Sequence, residues 1–185
     1  IMGDFVWTGF DYLGEPTPYK QHWPSRSSYF GIVDLAGIPK DTYYLYRSRW
    51  ASQKETLHQL PHWTWPGREG EITPVHCFTN YPAAELFLNG RSLGIRRKEP
   101  AGLREGESVP DPRQVQGMAL LMPRYRLIWD DVRYEPGTLR VVALNEIGQA
   151  LAEREIRTAG DPAKLEMTAD RKQVKADGDD LIFAT

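Results

Sequence analysis

Four residues near the start of the chain have the types and spacing to do chemistry on a polar ligand: Trp7, Asp11, Tyr12 and Glu15. They sit in the stretch Gly3-Asp4-Phe5-Val6-Trp7-Thr8-Gly9-Phe10-Asp11-Tyr12-Leu13-Gly14-Glu15-Pro16. The flat indole of Trp7 can stack on the C–H face of a sugar ring, which buries apolar area and orients the ring. Asp11 and Glu15 can accept hydrogen bonds from hydroxyls, and Tyr12 adds an aromatic ring with a polar tip. Two carboxyls four positions apart on a loop can also approach each other, as acid–base pairs do. The plainer readings are packing for Trp7 and loop structure for the acids.

The positioning elements are legible around them. Phe5-Val6-Trp7 is a short apolar run broken by Gly9, Gly14 and Pro16, the pattern of a buried strand running into a loop. In α/β barrels the C-terminal ends of strands carry the active site. The following Pro- and Ser-rich stretch holds Trp23 and Arg26, which can line the mouth of such a site. Pro39-Lys40-Asp41 predicts a helix start, with Pro in the first turn. Tyr43, Tyr46 and Trp50 then fall on one helical face, expected to pack on a barrel wall, and Arg47 and Arg49 suit the C-terminal dipole.

Composition narrows the classes. The 185 residues carry a net charge of −2, which gives no electrostatic reason to expect nucleic acid. No apolar run approaches the roughly 20 residues of a membrane span. The single cysteine, Cys77, forbids an internal disulfide and reads as a buried, inert thiol. His58, His62 and His76 match no zinc spacing, and Asp177-Gly178-Asp179 lacks the periodic ligands of a calcium loop, so no metal is expected. The opening Ile1-Met2-Gly3-Asp4 has no signal-peptide pattern. An apolar run at each end suggests an excerpt of a larger protein.

Beyond position 72 the pattern turns to β. Val75–Thr79 predicts a strand, and Asn89-Gly90 between apolar runs predicts a hairpin over 85–94. Residues 99–117 read as a long surface loop. Tyr125, Leu127 and Trp129 alternate with polar neighbours. Leu139, Val141 and Ala143 share a face, and Asn145–Gly148 turns into a last strand through Ile156. Short strands without intervening helices predict an antiparallel sandwich. Residues 53–72, with Trp63, Trp65 and several Pro and Gly, read as an inter-domain connection.

The stretch 3–16, followed by Trp23-Pro-Ser-Arg-Ser-Ser-Tyr-Phe-Gly-Ile-Val-Asp-Leu-Ala-Gly-Ile-Pro-Lys-Asp41, resembles the last strand and helix of the barrel of glycoside hydrolase family 2, in its β-galactosidase-like branch. The resemblance implies a mostly β chain. It would hold the terminal β/α unit of a TIM barrel (1–52), a linker (53–72), an immunoglobulin-like β-sandwich (73–159) and the start of a second sandwich (160–185). It implies retaining hydrolysis of β-galactosides or related β-glycosides by a parent enzyme, without a cofactor. The two catalytic glutamates would lie on earlier barrel strands, so no catalytic residue is expected here, and the fragment alone would be inactive. Trp7 matches the floor of the sugar subsite, and Asp11 an acid near it, with Tyr12 and Glu15 as further substrate contacts. The implied partners are a carbohydrate substrate and the parent barrel on which this piece packs, and the implied location is periplasmic or secreted. The alternative is a non-catalytic sandwich module that binds carbohydrate or supports assembly.

Overall fold

A computed structural model describes residues 6–13, 27–100, 106, 122–164 and 166–178. Its centre is a two-sheet sandwich. One sheet runs β1 (Leu57–Leu60), β2 (Val75–Thr79) and β5 (Leu127–Trp129), in the order β1-β2-β5. The other holds β3 (Ala83–Leu88), β4 (Arg91–Arg97), β6 (Thr138–Leu144) and β7 (Ala150–Arg157), in the order β4-β3-β6-β7. Every strand pair is antiparallel. In immunoglobulin lettering the two sheets are A-B-E and C′-C-F-G, so the expected immunoglobulin-like sandwich is what forms.

Alternation explains the strands. Leu86 and Leu88 on β3, and Leu139, Val141 and Ala143 on β6, point inward against Val75, Cys77 and Leu127 of the facing sheet. Asn89 at φ 52° and Gly90 at φ 80° make the β3–β4 turn, whose geometry needs positive φ at both positions. Polar side chains tie the sheets together through the core. Gln59 donates to the Leu139 carbonyl at 2.9 Å, and the Trp129 indole donates to the Gly94 carbonyl at 2.9 Å.

The linker expected over 53–72 is corrected. Leu57–Leu60 is a strand of the sandwich, paired along its length with β2. Trp63 is 1% exposed, packs edge-to-face on Tyr134 with centroids 5.2 Å apart, and donates to the Glu135 carbonyl at 3.0 Å. The Pro and Gly residues mark turns here, while the aromatics between them complete the core.

The helix α1 (Asp41–Trp50) forms as expected, with one shift. Pro39 lies before the cap rather than in the first turn. Its segment is still extended there, with Pro39 bridged to Val33 and the Lys40 amide donating to the Ile32 carbonyl at 3.0 Å. The expected strand at 5–7 is not found at Val6 and Trp7, and Phe5 lies outside the described residues. A strand needs neighbours for its backbone groups. Among the described residues the only strand-like pairing in this region is the parallel bridge of Phe10 to Val33. Residues 101–105 and 107–117 of the expected loop, and the run Leu181–Thr185, also lie outside the described residues. Between 160 and 178 the described residues form no named strand.

Candidate functional site

The segment carrying the predicted site folds back on the segment before α1. Asp11 and Val33 exchange support: the Asp11 amide donates to the Val33 carbonyl at 2.9 Å, and the Val33 amide donates to the Gly9 carbonyl at 3.0 Å. This brings the backbone at Phe10–Asp11 against Gly31. A Cβ at Gly31 would stand 2.3 Å from both the Asp11 nitrogen and the Phe10 carbonyl carbon, so only glycine fits.

Asp11 is the fastener of this unit. It is 7% exposed, and its Oδ1 accepts from the Gly31 amide at 2.8 Å. Its Oδ2 meets the Lys40 ammonium at 2.6 Å, linking the loop to the entrance of α1. Charge-assisted bonds of this kind contribute about 1.5–3 kcal/mol each. Both carboxylate oxygens are therefore engaged within the chain. Within the chain the Asp11 carboxylate fastens the loop to Gly31 and to Lys40.

Trp7 is different. Its side chain is 74% exposed, and its indole N–H donates to the Tyr12 phenol oxygen at 3.2 Å. Tyr12 is held in turn by its neighbour Ser28. The Tyr12 amide donates to Ser28 Oγ at 3.0 Å, and the Ser28 amide donates to the Tyr12 carbonyl at 2.8 Å. Ser28 is fully buried. The result is an exposed indole held by a hydrogen bond, on a segment where Phe10 and Leu13 are exposed too. Glu15, Trp23 and Arg26 lie outside the described residues. Sequence reasoning missed Gly31, Ser28 and Lys40. A glycine inside the apolar run Tyr29–Val33 was the available sign of close backbone approach.

The helix joins this unit to the sandwich. The His58 ring of β1 stacks on Tyr44 at 3.8 Å, and its Nε2 lies 2.7 Å from Asp41 Oδ1. His58 Nδ1 is buried without a hydrogen-bond partner among the described residues, so the proton of the neutral ring belongs on Nε2, where it is donated to Asp41. Burial holds the His58 pKa below its ordinary 6.5, against the opposing pull of Asp41 and with a smaller push from Arg154. His76 is lowered in the same direction, by burial first and then by Arg126, with Asp130 opposing. The unfolded chain therefore takes up these protons first as pH falls. Stability is full above about pH 6.5 and declines as pH drops through that value towards the folded-state pKa values. Denaturant midpoints at pH 7.5 and 5.5 should differ in that direction, and His58→Gln should reduce the difference. An unchanged midpoint would refute it.

His62 is likewise structural, stacked on Trp65 at 4.0 Å. Cys77 is fully buried, and burial pushes its thiol up to about 12, so it is inert as expected. Among the described residues no cluster of His, Cys, Asp and Glu could hold a metal ion, and no helix is long and apolar enough to cross a membrane.

A sequence family described as a domain of unknown function, DUF4982, matches residues 70–152. The chain is 47% identical over 187 aligned residues, all of its length, to β-galactosidase BoGH2A of Bacteroides ovatus, covering 18% of that protein. A putative β-glucuronidase of Formosa agariphila is 37% identical over 88% of the chain, which covers 14% of it. Among solved structures, a β-glycosidase from Bacteroides vulgatus superposes with a TM-score of 0.69 at 37% identity, over 98% of this chain and 20% of that one. A glycosyl hydrolase family 2 member from Bacteroides cellulosilyticus gives 0.71 at 28% identity, over 100% of this chain and 23% of that one. Over its whole length the chain is similar to one part of glycoside hydrolase family 2 enzymes. It spans less than a fifth of the length of the curated relatives it matches.

Proposed function

We propose that this chain is the sugar-wall and accessory segment of a longer retaining β-glycosidase acting on β-galactosides or related β-glycosides. The observation that carries the reading is the exposed indole of Trp7, hydrogen-bonded through its N–H to Tyr12. Retaining hydrolysis needs two carboxyl groups roughly 5–5.5 Å apart. Asp11 is committed to Gly31 and Lys40, which argues against its being one of them. The pair is assigned to the remainder of the longer enzyme.

The second support is the outer face of α1. Tyr43, Tyr46 and Trp50, with Ile32, line an open cleft of about 340 Å³, and Trp50 is 70% exposed. The opposite face of the helix is occupied by the sandwich through Tyr44 and the buried Ser48. An aromatic face of this kind fits the wall of a barrel supplied by the same longer polypeptide. The assignment of 1–52 to that barrel, of 160–185 to a further sandwich, and of the enzyme to the periplasm or exterior belongs to the same proposal.

The test uses both lengths. The pure chain should not turn over a nitrophenyl β-galactoside. In the longer enzyme, Trp7→Ala should lower kcat/KM by about 10²-fold, the scale of a lost aromatic stacking and positioning contact. Turnover by the chain alone, or an indifferent Trp7→Ala, would overturn the reading.

A further inference from the structure

We infer that Tyr12 is a positioning residue for Trp7, rather than a contact for the sugar. The inference rests on the reading of Trp7 as a subsite wall. Within this chain Trp7 is 74% exposed, so few packing contacts from these residues choose between its side-chain orientations. Its ring can be a stacking surface only if something fixes its plane. In this structure that constraint is a hydrogen bond: the indole N–H donates to the Tyr12 phenol oxygen at 3.2 Å.

The brace is itself anchored. The Tyr12 backbone is pinned at both its amide and its carbonyl by Ser28, which is fully buried. One residue earlier, Asp11 is locked to Gly31 and to Lys40 at the start of α1. A continuous chain of contacts thus runs from the helix through Lys40, Asp11 and Tyr12 to the indole. Spending the Tyr12 phenol oxygen as the acceptor for Trp7 orients the ring before any sugar arrives. That lowers the cost of ordering it on binding. The effect belongs in substrate affinity rather than in the chemical step.

A double-mutant cycle in the longer enzyme tests this. Tyr12→Phe removes the acceptor and keeps the ring. KM should rise about fivefold with kcat within about twofold, the scale of one neutral hydrogen bond. In a Trp7→Phe background, which lacks the N–H, Tyr12→Phe should change KM by less than about 1.5-fold. Ser28→Ala is a second variant, and its effect on KM should likewise vanish with Trp7→Phe. Melting temperatures recorded for each variant separate a loss of fold from a loss of orientation. An equal rise in KM in both backgrounds would overturn the inference, because Tyr12 would then act on the substrate or the fold directly. So would a Tyr12→Phe enzyme with unchanged KM. Trp7→Ala alone reads out the underlying proposal, so a failure there is distinguishable from a failure of the coupling.

Discussion

Gly31→Ala will unfasten the segment that carries Trp7 while leaving the sandwich folded. The added methyl would stand 2.3 Å from the Asp11 nitrogen and the Phe10 carbonyl carbon, and 2.8 Å from the Val33 carbonyl oxygen. All three are backbone atoms, so no side chain can swing aside to admit it. Overpacking of this kind costs about 1–3 kcal/mol even where neighbours can relax, and more where they cannot. The parallel bridge of Phe10 to Val33, the Asp11–Gly31 bond and the Asp11–Lys40 pair would be lost together. Hydrogen exchange reads the result. The amides of Asp11, Val33 and Lys40, each hydrogen-bonded now, should exchange at the rate of an open chain. Those of β2 and β6 should keep their protection. Asp11→Asn should be milder, because it retains an acceptor for the Gly31 amide and loses only the charge opposite Lys40. Full protection at Asp11 and Val33 in Gly31→Ala would refute the close backbone approach.

Trp63→Ala will destabilise the whole sandwich, by about 3–5 kcal/mol. Trp63 is 1% exposed, lies against Tyr134 and gives its indole proton to the Glu135 carbonyl. The carbonyl of Trp63 also accepts from Thr158 at 2.7 Å, just beyond β7. Truncation leaves a large cavity and an unpaired buried acceptor. A chain of this size has on the order of 5–15 kcal/mol of stability in total, so the loss is a large fraction. The denaturant midpoint of the chain should fall accordingly with its m-value unchanged. A loss under about 1 kcal/mol would mean that Trp63 sits in a mere connection, as its Pro- and Gly-rich surroundings first suggest.

The same contrast explains which features were legible beforehand. Val75–Thr79, the Asn89-Gly90 turn and the inward face Leu139, Val141 and Ala143 are local patterns with period two or a fixed turn chemistry. Each is determined within a few residues, and each is found where the sequence placed it. The helix at Asp41–Trp50 follows from its acidic start, its basic end and its spaced aromatics. The antiparallel sandwich followed from the run of short strands, and its immunoglobulin-like class from the resemblance to the family.

Tertiary structure decided what depends on partners far along the chain. Leu57–Leu60 is too short and mixed to announce itself, and becomes a strand because β2 offers it a hydrogen-bonding edge. Asp11 looks like a ligand-binding acid in isolation. Folding also gives it a fastening role, by bringing Gly31 and Lys40 to its two oxygens. Trp7 and Trp63 are the same residue type in similarly punctuated stretches, yet one is open and the other sealed. Residue type and spacing set what a side chain is able to do. Burial and hydrogen-bond partners, which come from segments distant in sequence, set which of those capacities remains unspent.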